Sequence, residues 1–191
     1  LFSKPVYLKT LDLDTKKIVP MIDAPRESVK TDEGKDSLYV LEEKKFKFLK
    51  DELMKEFNLF ASDVMNYSNK FKITTSWFTK VTRGQIPSGH NHNNCMFSGV
   101  LYLQVNENTG DIVFQTYDNR RYWIDIEKYN VFNSRDYGFK PVDGLLLLFP
   151  SEMYHRVEEN KSDTTRYSLA FNVIPVGLIG DETSDSHMII H

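Results

Sequence analysis

The sequence predicts a mainly β fold in which two sheets form a barrel and one helix packs on the outside. From residue 71 onward, runs of strand-forming residues alternate with turn signals. Before that point, one long stretch has apolar residues at helical spacing. Two of the strands separate a polar from an apolar face, which indicates a sheet with two different sides. The length of 191 residues suits one domain.

The N-terminal third reads as an arm followed by a supporting helix. Three prolines interrupt the first forty residues, which favours an extended, turn-rich arm. From Leu41 to about Asn66, one apolar stripe predicts a helix with a single buried face. The stripe consists of Phe46, Leu49, Leu53, Phe57, Phe60 and Val64. We therefore divide the domain into an arm with its supporting helix (residues 1–70), a barrel core (71–180) and a polar tail (181–191).

The barrel core contains several clear strands. They are Ile73–Val81, Met96–Val105, Asp111–Gln115, Leu145–Phe149 and Tyr167–Ile174. The run Leu145–Phe149 has no polar residue, so we expect both of its faces to be buried. Pro150 follows this run and ends the strand.

Alternation along two strands indicates what the sheets enclose. Period-2 geometry puts every second residue on the same side of a sheet. The more polar sets are Ser98, Val100, Tyr102 and Gln104 in one strand, and Arg166, Ser168, Ala170 and Asn172 in the other. Such a side either faces water, as in many antiparallel sheets, or lines a polar pocket inside a barrel whose outer side packs on the helix. The position of the histidines favours the pocket.

Composition excludes several broad classes of partner. A net charge of -3 and a pI near 6.0 favour neither nucleic acid nor an anionic membrane. No window is apolar enough for a membrane span. The single cysteine, Cys95, excludes an intrachain disulfide and fits a reducing compartment. We therefore expect a cytoplasmic protein, and oligomerisation stays possible.

Three of the five histidines are candidate metal ligands. His90 and His92 are two apart, so in an extended segment both rings point to the same side. His155 opens a later strand and is the third candidate. A different pair, His92 with Asn94, stays possible, but imidazole is the better ligand. The remaining histidines, His187 and His191, lie in the polar tail and have no expected role.

Arg166 and Ser168 add a candidate anion site. The polar connection over residues 159–165 predicts a hairpin that places Arg166 beside His155. Burying an arginine costs free energy of folding unless an anion pairs with it. The planar guanidinium can donate two parallel hydrogen bonds to a carboxylate. A serine hydroxyl two residues later can bond the same group. Together with the histidines, these residues predict a site for a metal and an acidic small molecule.

This pattern resembles the Fe(II)- and 2-oxoglutarate-dependent dioxygenases. Their order is H-x-(D/E), a distal His, then an Arg or Lys about ten residues later, often as R-x-S. A subgroup with H-x-H, S-G-x-x-Y and F-P-S…H…R-x-S is more similar still. The matching segments are His90–His92, Ser98–Tyr102, Phe149–Ser151, His155 and Arg166–Ser168. The resemblance covers roughly Ser76 to Pro175.

The resemblance implies a fold, an activity and roles for these residues. The fold is a double-stranded β-helix, also called jelly-roll or cupin-like. His90, His92 and His155 would be the catalytic metal ligands of Fe(II), and the co-substrates would be 2-oxoglutarate and O2. Arg166, Ser168 and Tyr102 would bind 2-oxoglutarate. The implied reaction hydroxylates a small-molecule or peptide substrate and releases succinate and CO2.

One departure from the pattern leaves alternatives open. His92 stands where the family has a carboxylate, so Zn, Ni or Co could compete with Fe(II). A cupin-like three-histidine metalloenzyme that ignores 2-oxoglutarate is one alternative, and a non-catalytic jelly-roll binding module is another. The segment 117–143, with an expected short strand at Tyr122–Ile126, is either a lid over the site or a surface insertion.

Overall fold

The computed structural model describes residues 4–23, 25–27, 38–115, 124–130 and 132–191. The strands are β1 (Tyr7–Thr10), β2 (Arg26–Glu27), β3 (Lys70–Val81), β4 (Phe97–Gln104), β5 (Ile112–Gln115), β6 (Asp136–Phe139), β7 (Leu145–Pro150), β8 (His155–Val157), β9 (Arg166–Ile179) and β10 (Met188–Ile190). The α-helices are α1 (Thr15–Ile18) and α2 (Lys47–Leu59). None of the helices in these residues is long and apolar enough to cross a membrane.

The strands form two sheets, as predicted. The larger, seven-stranded sheet has the order β1-β7-β4-β9-β3-β2, with β10 paired to β9. The smaller, three-stranded sheet has the order β6-β5-β8. An apolar cluster joins the two, because Tyr102 of β4 and Phe149 of β7 pack with Ile112 and Phe114 of β5. The sheets therefore face each other across a shared interior.

The outer side of the larger sheet packs on α2. Leu101 and Leu169 belong to the same buried cluster as Leu53 and Phe57 of the helix. Tyr102, the neighbour of Leu101, points to the interior instead. This confirms the barrel and excludes the alternative in which the more polar side of the sheet faces water.

Strand β7 is buried on both faces, as its unbroken apolar run predicted. Leu146 and Leu148 join the cluster that packs on α2. Leu145, Leu147 and Phe149 join the interior cluster. The strand can be apolar throughout because it separates two cores.

The predicted helix over 41–66 is shorter and less regular than its stripe suggested. Short 3₁₀ turns at Val40–Glu42 and Lys44–Phe46 precede α2, and a π-helical turn, Phe60–Val64, follows it. The wide turn is closed by a bond from Met65 N to Phe60 O at 3.1 Å. Because a π turn holds more residues, it rotates the chain off the 3.6-residue period. Val64, expected in the stripe, is therefore 54% exposed.

The predicted hairpin between His155 and Arg166 is wrong. Strand β8 pairs with β5 in the smaller sheet, whereas β9 pairs with β3 and β4 in the larger one. The connection crosses from one sheet to the other and is fixed by Asn160, which is fully buried. Its side-chain amide donates to Val81 O and Thr164 O, both at 2.9 Å. Arg166 therefore reaches the interior from the sheet opposite His155.

Two further segments differ from their sequence predictions. Part of the segment 117–143 lies outside the described residues, including Tyr122 and Trp123 of the strand expected there. Residues 124–126 form no strand, and β6 appears further on and pairs with β5. The polar tail ends in β10, a strand that the sequence did not predict.

Gly99 is required by the packing between β4 and β9. A Cβ atom at this position would lie 2.2 Å from Phe171 Cζ, and the Phe171 side chain is fully buried. We expect Gly99→Ala to lower the free energy of unfolding by about 1–3 kcal/mol, the usual cost of overpacking a core. Urea denaturation measures this change.

Gly138→Ala is the matched control, because an added Cβ there meets nothing nearer than Val113 Cγ2 at 3.6 Å. Equal unfolding midpoints for the two variants would contradict the packing role of Gly99.

Candidate metal centre

The structure brings the three candidate histidines together. His90 and His155 exchange backbone hydrogen bonds, N to O, at 2.9 Å in both directions. His92 N donates to Ser151 O at 2.9 Å, which anchors the end of the same segment. One ligand atom from each of the three rings lies within 4.8 Å of the others. Side chains from the 90–92 segment and from β8 thus converge on one point.

Backbone carbonyls orient two of these rings. His90 Nδ1 lies 2.9 Å from Ser88 O, and His155 Nδ1 lies 3.0 Å from Met153 O. A carbonyl oxygen only accepts, so each Nδ1 carries a hydrogen, and in the neutral form of the ring Nε2 keeps a free lone pair. This is how metal-binding histidines are normally held.

Burial keeps two of the rings neutral. Removal from water lowers the pKa of His92 to about 4, and the neighbouring His90 lowers it further, while a hydrogen bond with Asn172 opposes the shift. Burial likewise lowers the pKa of His155 to about 4. Both imidazoles are therefore deprotonated at neutral pH, the state that a metal ligand requires.

The donor set fits a transition metal. Three imidazole nitrogens suit Fe, Zn, Ni or Co, and three protein ligands leave positions open for other molecules. His90, rather than Asn94, joins His92 in the cluster. Asn94 is exposed and has a backbone φ of 59°. This geometry favours the three-histidine set over the alternative pair.

Aromatic rings form the walls of the cluster. Trp77 of β3 stacks on His92, with ring centroids 5.8 Å apart and an interplanar angle of 20°. Phe149 packs edge-on against His155, with centroids 4.9 Å apart. Phe114 contacts His155 at 5.9 Å. These rings cover His92 and His155, whereas His90 is exposed.

Trp77 should report metal binding. Because its indole stacks on His92, we expect Co(II) to quench its fluorescence on binding. The chain has a second tryptophan, Trp123, so Trp123→Phe leaves Trp77 as the sole emitter. That variant should keep the Co(II)-dependent quenching, and Trp77→Phe should lose most of it. Absence of quenching in Trp123→Phe, at Co(II) concentrations where binding is detected calorimetrically, would contradict the placement of the metal beside His92.

Arg166 is buried and incompletely paired. Its side chain is 2% exposed, and Nη1 donates to Thr109 O at 3.1 Å. Nε is buried and has no hydrogen-bond partner among the described residues. Burial lowers the pKa of Arg166, and Tyr102 opposes this shift. An arginine stays charged in proteins. Because a buried, unpaired charge destabilises the protein, we expect an anion to bind beside Arg166.

Two hydroxyl side chains lie on the same inner face as Arg166. Tyr102 of β4 pairs in register with Ser168 of β9, two residues after Arg166. Both are buried, and burial raises the pKa of Tyr102 to about 12, so its hydroxyl keeps its proton. The structure thus places the three predicted co-substrate residues together on the larger sheet.

Sequence reasoning missed a buried polar network beside His92. Ser98 Oγ lies 2.9 Å from Ser151 Oγ and donates to Asn172 Oδ1 at 2.9 Å. Asn172 Nδ2 donates to Thr75 Oγ1, also at 2.9 Å. Ser98 and Ser151 occur in the motifs that carry the family resemblance, but nothing in the motifs shows that they meet.

Comparison with protein families identifies the chain. Residues 75–172, just over half of the chain, match the family described as "Putative 2OG-Fe(II) oxygenase". The chain belongs to this family. The cofactors of this family are Fe(II), 2-oxoglutarate and O2. No curated protein matches the sequence.

Solved structures confirm the fold of the chain. HygX from Streptomyces hygroscopicus, with nickel and 2-oxoglutarate bound, has a TM-score of 0.60 and 9% identity over 98% of this chain and 91% of its own. The viral collagen prolyl hydroxylase from Paramecium Bursaria Chlorella virus-1 has a TM-score of 0.53 and 11% identity over 88% and 89%. At this identity the likeness concerns the fold, and it confirms the predicted jelly-roll, or double-stranded β-helix.

The chain spans only part of the length of some solved relatives. It covers 54% of a 2OG-Fe(II) oxygenase family oxidoreductase from Burkholderia pseudomallei, which aligns with 71% of this chain at 14% identity and a TM-score of 0.49. It spans 63% of a Pseudomonas putida prolyl-4-hydroxylase.

Proposed function

We propose that this oxygenase hydroxylates a small-molecule or peptide substrate and converts 2-oxoglutarate to succinate and CO2. His90, His92 and His155 would hold Fe(II). Arg166, with Ser168 and Tyr102, would bind the co-substrate. The observation that carries the proposal is a three-histidine cluster in the same interior as a buried arginine whose Nε has no partner among the described residues.

Arg166 suits the far carboxylate of 2-oxoglutarate. Its unpaired Nε, together with a terminal nitrogen, offers the two parallel N–H donors that a carboxylate accepts. The hydroxyls of Ser168 and Tyr102 add donors on the same face of the sheet. Apolar side chains of the interior cluster, such as Leu147 and Ile112, surround this face and keep water from competing.

The residues around the proposed metal site would orient the ligands and shield them from water. Bound Fe(II) would supply the oxidising power by activating O2 as 2-oxoglutarate is decarboxylated. His90 and His155 present fixed nitrogens because backbone carbonyls hold their opposite edges. Phe114 and Phe149 shield His155. In this proposal residues 71–180 form the catalytic core, residues 1–70 support it, and the cytoplasm remains the expected location.

Anaerobic titration tests the proposal directly. Purified protein given Fe(II) and then 2-oxoglutarate should develop a visible metal-to-ligand charge-transfer band. In air, the same mixture should form succinate in a 2-oxoglutarate-dependent manner. Absence of both the band and succinate, with Fe(II) bound, would contradict the proposal.

A second candidate follows from His92. A three-histidine site lacks the carboxylate of the usual facial triad, which favours a cupin-like metalloenzyme that does not use 2-oxoglutarate. Substrate-dependent oxygen uptake that is indifferent to 2-oxoglutarate would support this candidate. The buried Arg166 argues against this candidate, because an enzyme that does not bind 2-oxoglutarate lacks that carboxylate as a partner for the buried charge.

A further inference from the structure

The polar network behind the metal centre holds one side chain rigidly. Asn172 accepts from Ser98 Oγ at its oxygen and donates to Thr75 Oγ1 through its nitrogen, both at 2.9 Å. Ser98 is 1% exposed, so water does not replace its bond. With both ends of the amide engaged, its orientation is fixed. An amide oxygen has two lone pairs, and the bond from Ser98 uses one of them.

The same network reaches His92 by two routes. Ser151, whose Oγ lies 2.9 Å from Ser98 Oγ, accepts the backbone N–H of His92 at its carbonyl. Asn172 is also the side chain that, as a hydrogen-bond partner, raises the pKa of the His92 ring against the larger effect of burial. Trp77 stacks on the face of the ring and restricts its rotation. His92 is thus held at its backbone and its face, and the network ends at the Asn172 amide.

A histidine in this position needs such a partner. The carboxylate that normally stands there has two equivalent oxygens and no tautomers, whereas a neutral imidazole has two tautomers that present different nitrogens. His90 and His155 are fixed by backbone carbonyls. For His92 the partner is a side chain, which can be changed by mutation.

We propose that Asn172 is a positioning residue for His92: its amide oxygen accepts the ring N–H and leaves the other ring nitrogen free for the metal. The inference rests on the proposed function, since it assigns His92 to the metal. Strand β9 would then carry the arginine for the co-substrate at one end and the support of a metal ligand further along.

The tautomer of His92 can be measured without metal. Imidazole ¹⁵N chemical shifts of the metal-free wild type should show one neutral tautomer for His92. Asn172→Ala should give the averaged shifts of two tautomers and weaken Co(II) binding by about 10- to 100-fold, the usual effect of losing a group that orients a ligand. A single, unchanged tautomer with unchanged Co(II) affinity in Asn172→Ala would overturn the proposal.

Thr75→Val is the matched control. It removes the hydrogen bond at the nitrogen of Asn172 but keeps the oxygen that faces His92. This variant should retain one tautomer and a Co(II) affinity within about threefold of wild type, well below the loss from Asn172→Ala. Mixed tautomers of the same degree in both variants would mean that the network merely stabilises the fold, and this also overturns the proposal.

A conservative variant covers the case in which Asn172→Ala does not fold. Asn172→Asp keeps an acceptor oxygen and should keep one tautomer of His92, whereas a mixture would overturn the inference. These readouts use metal-free or Co(II)-loaded protein. They therefore distinguish failure of this inference from failure of the proposed 2-oxoglutarate chemistry, which leaves the tautomer result unchanged.

Discussion

His155→Ala is expected to abolish metal binding and 2-oxoglutarate turnover together. His155 is the buried member of the cluster, and its Nδ1 is bonded to Met153 O, so its other nitrogen is the one free to bind a metal. Loss of a group that only orients a ligand costs about 10- to 100-fold in metal affinity, and removal of the ligand itself should exceed this. Calorimetric titration with Co(II) measures the affinity, and succinate formation measures turnover.

His187→Ala is the matched control for this experiment. His187 is exposed, and its Nδ1 contacts Ser184 O within the C-terminal tail. The variant should bind Co(II) and form succinate like the wild type. If His155→Ala kept wild-type Co(II) affinity while remaining folded, the three-histidine site would be wrong.

Arg166→Met is expected to weaken 2-oxoglutarate binding by at least about 100-fold, since breaking a buried, hydrogen-bonded charge pair costs about 3–5 kcal/mol. Metal binding should change little, because the ligands lie on the 90–92 segment and on β8, whereas Arg166 lies on β9 in the opposite sheet. Titration of 2-oxoglutarate into the Co(II)-loaded protein measures the effect. Arg166→Lys keeps the charge but not the planar fork, so it should restore only part of the affinity.

The stability of Arg166→Met gives a second, independent expectation. Without 2-oxoglutarate, the guanidinium is buried with an unpaired Nε, and such a charge destabilises the folded state. Replacement by an apolar side chain of similar length should leave the unliganded protein equally stable or raise its free energy of unfolding by about 1–4 kcal/mol. Added 2-oxoglutarate should stabilise the Co(II)-loaded wild type against urea but not this variant. A variant that is several kcal/mol less stable and binds 2-oxoglutarate normally would make Arg166 a structural residue.

The sequence predicted the parts of the site that depend on local geometry. Two-residue spacing placed His90 and His92 on one side, and alternation placed Tyr102, Ser168 and Arg166 on the inner face. Both follow from the period of an extended chain, which holds whatever the tertiary structure. The resemblance then supplied the roles, which the order and spacing of the motifs made specific.

The pairing between strands that are distant in sequence could not be predicted from the same local pattern. The hairpin expected between β8 and β9 failed because Asn160 is buried and bonds to Val81, a residue far away in the sequence. A polar connection of that length suits a hairpin and a crossing between sheets equally well. The π turn after α2 could not be predicted for a similar reason. The apolar stripe in the sequence continues to Val64 whether or not the helix keeps its 3.6-residue period.

The network around Asn172 joins segments that are distant in sequence. Thr75, Ser98, Ser151 and Asn172 come from three strands and a turn, so only the folded register brings them together. Each residue alone is an ordinary polar side chain on a sheet.

A crystal structure of the protein with Fe(II) and 2-oxoglutarate, prepared without oxygen, tests the central claim most directly. The account predicts one metal bound by His90, His92 and His155. It also predicts the 2-oxo acid end of the co-substrate on that metal and the far carboxylate paired with Arg166. A metal bound without His92, or a co-substrate whose far carboxylate leaves Arg166 unpaired, would contradict it.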